Sequence, residues 1–149
     1  MRGNYNLAVV VSDGLSPTAV QRHAAPLLAA LLPTLLPTWR LAPHAIAEQG
    51  RVALGDEIAM ALGATGVLMM IGERPGLSAT DSLGAYLTWG VRCGLTDADR
   101  NCVSNIRPEG VGYEEAARQI AYLLGAARQG GYSGVALKNR ADEALAPPD

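Results

Sequence analysis

Short apolar runs alternate along this chain with longer segments whose apolar residues recur at three- and four-residue spacing. The runs, bounded by Gly, Pro and polar residues, predict strands, and the periodic segments predict amphipathic helices. The predicted strands are residues 7–11, 39–46, 67–71, 83–89 and 135–137, the predicted helices begin at Pro17, Glu57 and Tyr113, and the segment 102–106 is too short to assign. Because strand and helix patterns alternate, we expect an α/β fold: a single domain with a mostly parallel sheet flanked by helices.

Local signals mark the ends of several predicted elements. Ser16 and Pro17 form a typical helix start, with the serine as N-cap and the proline in the first helical position. Gly63 suits the position just after the second helix, where a left-handed backbone is common. Pro43 cannot donate a backbone hydrogen bond, so the strand at 39–46 is predicted to lie at an edge of the sheet.

Composition and charge exclude several classes of protein. The chain has 149 residues, a formal charge of −2 and no basic cluster, which argues against non-specific binding of nucleic acid. No apolar stretch reaches the roughly 20 residues that span a bilayer, and no signal peptide is evident, so we expect a soluble, cytoplasmic protein. The domain is predicted to cover residues 1–138, and the charged, Pro-rich tail at 139–149 is predicted to be disordered. Cys93 and Cys102 are predicted to be reduced thiols, because their spacing matches no common zinc motif.

Polar residues follow two of the predicted strands at the point where each strand ends. The run at 67–71 stops at Gly72 and continues as Glu73-Arg74-Pro75-Gly76, and the run at 7–11 is followed by Ser12-Asp13-Gly14. The carboxyl ends of the strands in an open α/β sheet form its usual ligand-binding edge. Neither loop contains G-x-G-x-x-G or G-x-x-x-x-G-K-[ST], so nucleotide binding through those motifs is unsupported.

Glu73, Asp13 and Cys102 are candidate functional residues, and each also has an ordinary structural interpretation. Glu73 either pins its own loop, by pairing with Arg74, or faces a ligand and accepts hydrogen bonds from its N–H groups. Asp13 either caps the following helix or contributes to the same ligand-binding edge. Cys102 either packs as a small thiol or belongs, with the polar side chains of segment 100–105, to a surface that hydrogen-bonds many groups at once.

The two histidines, His23 and His44, have no second ligand at metal spacing and no nucleophile beside them in the sequence. We therefore interpret both histidines as structural or surface residues and assign no metal site to this chain. Neither histidine lies in D-x-H-x-x-G, the loop through which one group of cobalamin proteins replaces the lower axial base of the cofactor.

Five blocks of the sequence are more specific than any single residue. They are V-V-V-S-D-G-L-S at 9–16, G-R-V at 50–52, G-E-R-P-G-L at 72–77, D-S-L at 81–83 and R-N-C-V-S-N-I at 100–106. Taken together and in this order, the blocks resemble the small subunit of ethanolamine ammonia-lyase, an adenosylcobalamin-dependent enzyme family. The resemblance extends from about residue 7 to residue 138.

This resemblance implies a Rossmann-like domain that closes over the corrin ring of adenosylcobalamin, with a barrel of the large subunit below it. The family's small-subunit contacts with the cofactor fall on Val52, Glu73 and Cys102 of this chain. The cofactor would keep its own dimethylbenzimidazole as lower ligand, in the base-on form, which agrees with the missing D-x-H-x-x-G motif.

The resemblance also implies the reaction and the division of labour between subunits. The enzyme converts ethanolamine to acetaldehyde and ammonia, and the substrate pocket belongs to the large subunit, so we expect the isolated chain to be inactive. Family small subunits carry a substantial N-terminal region that helps to attach them to their partner, and this chain begins almost at its first predicted strand. The sequence leaves open whether a bacterial microcompartment houses the assembly.

Two other functional classes are compatible with the predicted fold. A free-standing Rossmann- or flavodoxin-like module could bind a small ligand or a protein without catalysis, because fold alone does not fix function. A hydrolase or transferase could use Asp13 and Glu73 as acid and base, although the sequence offers no histidine or metal set to assist them. Acetaldehyde formed only in the presence of the large subunit would distinguish the lyase from both alternatives.

Overall fold

The computed structural model describes residues 4–14, 16–36, 38–47, 51–73 and 82–137, so the predicted tail at 139–149 lies outside the described residues. The described residues form a five-stranded sheet with three helices packed on its two faces. The strands are β1 (Tyr5–Ser12), β2 (Ala45–Ala47), β3 (Ala64–Glu73), β4 (Ser82–Trp89) and β5 (Arg100–Ile106). The helices are α1 (Pro17–Leu35), α2 (Leu54–Leu62) and α3 (Tyr113–Gly130), and a short 3₁₀ turn covers Asp97–Asp99.

The strand order is β2-β1-β3-β4-β5, and the sheet is mixed. β1 runs parallel to β2 and β3, whereas β4 pairs antiparallel with both β3 and β5. The predicted α/β class with flanking helices is confirmed. The prediction of a mostly parallel sheet holds only for β2, β1 and β3, because β4 and β5 pair in antiparallel fashion. The reason is the length of two connections: residues 74–81 and 90–99 are too few for the helical crossover of about a dozen or more residues that parallel neighbours require.

Alternation along the buried strands divides the core into two layers. In β1, Leu7 and Val9 pack in the larger layer beneath α1 and α3, and Ala8 and Val10 pack in the smaller layer beneath α2. α2 lies over β1 and β3. On the face beneath α2, Ser82 and Thr88 of β4 are buried, whereas Cys102 and Ser104 of β5 are exposed.

The ends of two helices confirm the local signals in the sequence. At the start of α1, the backbone N–H of Ala19 donates to Ser16 Oγ at 3.2 Å, which is the predicted N-cap bond. Gly63 ends α2 with a left-handed backbone at φ 78°. α1 continues through Pro26 and Pro33 before it ends at Leu35.

Other predicted boundaries shift. The strand predicted at 39–46 is reduced to the edge strand β2, with Leu41 making only a single bridge to Leu7. Its predicted edge position is confirmed. α2 begins at Leu54 rather than Glu57, and the unassigned segment 102–106 belongs to β5.

The strand predicted at 135–137 is wrong, because these residues form a turn. Val135 is 79% exposed, so its apolar side chain does not contribute to a buried strand. The side-chain amide of Asn101 donates to the carbonyls of Gly134 at 3.2 Å and Leu137 at 2.9 Å. This side chain satisfies backbone groups that a strand would have paired within the sheet.

Candidate functional site

Glu73, the last residue of β3, extends its side chain across β4. Tyr86 Oη donates a hydrogen bond to Glu73 Oε2 at 2.7 Å, and in the described part of the chain Tyr86 is the one donor to this carboxylate. The carboxylate lies over Gly84, where an added Cβ would be only 2.6 Å from Glu73 Cδ. Glycine at this position therefore leaves the carboxylate its room on the sheet face. Arg74, the alternative partner considered from the sequence, lies outside the described residues.

The strand register brings Cys102 to the same place. Tyr86 pairs with Met69 of β3 on one side and with Cys102 of β5 on the other. Residues opposite one another in neighbouring strands project from the same face, so Tyr86 and Cys102 are side-chain neighbours. Glu73, Tyr86 and Cys102 form one group, which we call the Glu73–Tyr86–Cys102 cluster.

Cys102 is exposed as a residue, yet its thiol resists ionisation. Partial burial raises the pKa of the Cys102 thiol from 9.0 to about 11, an interaction with the Tyr86 hydroxyl lowers it, and the negative charge of Glu73 raises it again. At pH 7 the thiol is therefore neutral. A neutral thiol is a weak hydrogen-bond donor and a poor nucleophile.

Tyr86 also keeps its proton. Burial is the main cause that raises the pKa of the Tyr86 hydroxyl, and the hydrogen bond to Glu73 and the electrostatic influence of Cys102 add to it. The hydroxyl thus remains a donor to the Glu73 carboxylate at every physiological pH.

Val52 lies in the turn that leads into α2 and is half-buried. Its carbonyl accepts a hydrogen bond from the backbone N–H of Gly55 at 3.0 Å. Gly55 in turn packs against Val67 and Met69 of β3, the strand beside Tyr86. The structure thus brings Glu73 and Cys102 together through Tyr86, and it places Val52 at the start of the helix over the neighbouring strand.

Two polar side chains near Cys102 form hydrogen bonds within the protein and do not belong to an open surface. Arg100 is buried, and its Nη1 donates to both carboxylate oxygens of Asp56, at 2.8 and 2.9 Å, and to Thr88 Oγ1 at 3.1 Å. Asn101 holds the turn after α3. Of the segment 100–105 considered from the sequence, these two residues therefore do not face a ligand, whereas Ser104 is exposed.

The loop after β1 packs against the end of β3 at Gly72. A Cβ at this position would collide with the backbone carbonyl oxygens of Asp13 and Ser16. Ser16 N–H also donates to the Asp13 carbonyl at 2.9 Å, which closes the loop after β1. Only glycine permits this close approach, so the loop after β1 and the end of β3 form one packed edge.

Sequence reasoning did not identify Tyr86 as a site residue. Its signal is present in the alternation of Gly84, Tyr86 and Thr88 along β4, which places the three residues on one face. A tyrosine two positions from a glycine, in the strand after Glu73, is a sensible partner for that carboxylate once antiparallel pairing is known.

The described part of the chain offers no group of three or more His, Cys, Asp and Glu side chains suited to a metal ion. No described helix combines the length and the apolar character that a membrane crossing requires.

Comparison with known proteins defines the class to which this fold and site belong. Residues 1–138 match the family model described as "Ethanolamine ammonia-lyase light chain (EutC)", and the chain belongs to this family. Among curated relatives, the ethanolamine ammonia-lyase small subunit of Azotobacter vinelandii is 55% identical over 143 residues, which cover 95% of this chain and 53% of the relative. The small subunit of Ralstonia nicotianae is 54% identical over 146 residues, covering 96% of this chain and 53% of the relative. The small subunit of Xanthomonas campestris pv. campestris is 51% identical over 148 residues, covering 99% and 54%.

The chain spans about half the length of the curated relatives that it matches. The similarity covers every described strand and helix, including the three residues of the Glu73–Tyr86–Cys102 cluster.

Proposed function

We propose that this chain supplies the corrin-covering part of an adenosylcobalamin-dependent ethanolamine ammonia-lyase, while the large subunit holds ethanolamine. The observation that carries the proposal is the Glu73 carboxylate, which Tyr86 holds over Gly84 on the sheet face that also presents the exposed Cys102. Family membership supplies the reaction class and the expected partner. We further expect the assembly in the cytoplasm, or inside a bacterial microcompartment there.

The chemistry of the Glu73–Tyr86–Cys102 cluster suits the edge of a corrin ring. That edge carries amide side chains, which are hydrogen-bond donors and acceptors. Oε2 of Glu73 accepts from Tyr86 and Oε1 lies against Gly84, and the remaining lone pairs of the carboxylate can accept from an amide N–H. The neutral thiol and backbone of Cys102, and the backbone of Val52, can complete the contact.

Affinity in this arrangement comes from a sum of modest contacts. Each neutral hydrogen bond contributes about 0.5–1.5 kcal/mol net, and one to a charged group such as Glu73 about 1.5–3 kcal/mol. Apolar surface that the cofactor would bury adds to these contacts. We therefore expect several residues to share the binding of the cofactor, with Glu73 as the strongest single contributor.

No residue of this chain is proposed to act on the substrate. Bound adenosylcobalamin supplies radical chemistry that removes a hydrogen atom from the substrate and later returns one. The residues of this chain would hold the base-on cofactor at its periphery and keep water from the reaction. Consequently we expect the isolated chain to lack ammonia-lyase activity.

Reconstitution tests this function. The purified chain is mixed with the large subunit, adenosylcobalamin and ethanolamine, and acetaldehyde formation is followed. The small and large subunits of the Azotobacter vinelandii enzyme serve as the positive control. We expect acetaldehyde from the mixture and none from either protein alone. A chain that neither associates with the large subunit nor supports acetaldehyde formation would contradict the proposal and favour a free-standing binding module.

A further inference from the structure

We propose that Tyr86 is a positioning residue that holds the Glu73 carboxylate in the orientation required for contact with the cofactor. The inference rests on the proposed function, because it assigns a role to Tyr86 in the same binding surface. Tyr86 itself is not proposed to touch reacting atoms.

The geometry leaves Glu73 dependent on a partner across the sheet. Glu73 ends β3 opposite Ser82, so its side chain stands where regular strand pairing stops. Tyr86 lies four residues further along β4, and its long side chain reaches back over Gly84 to meet Oε2. Gly84 itself cannot hold the carboxylate, since it has no side chain. The orientation of the carboxylate is therefore set by the tyrosine hydroxyl.

Fixing Glu73 in advance matters for affinity. A glutamate side chain has several rotatable bonds, and ordering it when the ligand arrives would oppose binding. Tyr86 is half-buried and has fewer rotatable bonds, so it provides a rigid support. Tyr86 holds Oε2 and Oε1 packs on Gly84, so the orientation of the carboxylate is fixed before an N–H donor arrives.

Cys102 completes the support from the other side. It is the register partner of Tyr86 on β5 and interacts with the tyrosine hydroxyl. The hydroxyl has one proton, which it donates to Glu73. Cys102, Tyr86 and Glu73 thus lie in contact in this order across the three strands β5, β4 and β3.

A double-mutant cycle tests the positioning role. Adenosylcobalamin is titrated into the complex of this chain with the large subunit, and the change in visible absorbance gives the affinity for wild type, Tyr86→Phe, Glu73→Ala and the double variant. We expect Glu73→Ala to weaken binding about 10- to 100-fold and Tyr86→Phe, which keeps the carboxylate, about 3- to 10-fold. Since Tyr86 acts through Glu73, the double variant should bind as Glu73→Ala does. Tyr132→Phe, an exposed tyrosine outside the cluster, is the matched control and should bind as wild type.

A second variant crowds the carboxylate itself, and its added methyl group would also lie 3.0 Å from Tyr86 Cε2. Gly84→Ala places a methyl group where the carboxylate lies, so it should weaken binding in the wild-type background and have little effect in the Glu73→Ala background. Thermal unfolding of each variant chain shows whether it is folded.

The outcomes separate the two proposals. If Glu73→Ala binds adenosylcobalamin as tightly as wild type, the proposed cofactor contact itself fails. If Glu73→Ala weakens binding but Tyr86→Phe does not, or if the two effects simply add, Tyr86 does not act through Glu73 and the positioning role is overturned. A loss of thermal stability in Tyr86→Phe with unchanged affinity would likewise overturn it.

Discussion

At the scale of single residues, Cys102 combines an exposed position with a thiol that holds its proton. Its pKa of about 11 follows first from partial burial, and the nearby Glu73 carboxylate raises it further. Thiolate is the reactive form of cysteine, and at pH 8 only about one such thiol in a thousand would be ionised. The residue is therefore suited to contact a ligand without reacting with electrophiles around it.

Alkylation measures this property directly. In a Cys93→Ser variant, which leaves Cys102 as the remaining thiol, iodoacetamide should react at pH 8 roughly ten-fold more slowly than with a free cysteine peptide. The rate should rise with pH to a midpoint near 11. Adding Glu73→Gln removes a negative charge that disfavours the thiolate, so the midpoint should move to lower pH. A midpoint near 8.5 in both variants would contradict the arrangement of the cluster.

Glu73 and Tyr86 differ in how far the sequence alone could identify them. Glu73 follows an apolar run that ends abruptly at Gly72, and that local pattern was sufficient to predict a functional candidate. The role of Tyr86 depends on the pairing of β3 with β4, because Tyr86 reaches Glu73 only across an antiparallel ladder. Pairing direction is a long-range property that the residues around Tyr86 do not encode.

At the scale of elements, one buried ion pair connects α2 to β5, the strand at one edge of the sheet. Asp56 in the first turn of α2 accepts two hydrogen bonds from Arg100 of β5, and both side chains are almost inaccessible to solvent. The pair holds the start of α2 against the sheet, and the turn containing Val52 leads directly into that start. Removal of one partner would leave the other charge buried and uncompensated.

Asp56→Ala should therefore lower the free energy of unfolding by about 3–5 kcal/mol, the usual cost of breaking a buried ion pair. Glu57→Ala is the matched control: it removes a carboxylate from the same helical turn, but Glu57 is exposed. The free energy of unfolding of the control should fall by about 0.3–1 kcal/mol, because Glu57 interacts favourably with the helix dipole. Urea unfolding of both variants provides the measurement, and equal losses would show that the ion pair has no special role.

The elements themselves were predicted with uneven success, for physical reasons. Helix signals at Ser16 and Gly63 act locally, and both were confirmed. The apolar pattern at 135–137 predicted a strand, but the hydrogen bonds of this turn come from Asn101, a residue more than thirty positions away. Arg100 was considered as part of a ligand surface because nothing near it in the sequence reveals Asp56 as its partner.

At the scale of the whole molecule, the two faces of the sheet are covered unequally. α1 and α3 close one face over the larger core, whereas α2 alone covers part of the other within the described chain. The Glu73–Tyr86–Cys102 cluster lies on this second face. A domain that presents polar groups on such a partly covered face fits the proposed role as one wall of a shared site, which the large subunit would complete.

The most direct test of this account is a binding titration in three matched samples. Adenosylcobalamin is titrated into the large subunit alone, the chain alone and their mixture, and the change in the visible absorption band is followed. We expect the tightest saturable change in the mixture, with an affinity about ten-fold or more lower when the chain carries Glu73→Ala. If the large subunit alone binds the cofactor as tightly as the mixture does, this chain does not hold the corrin ring and the account is wrong.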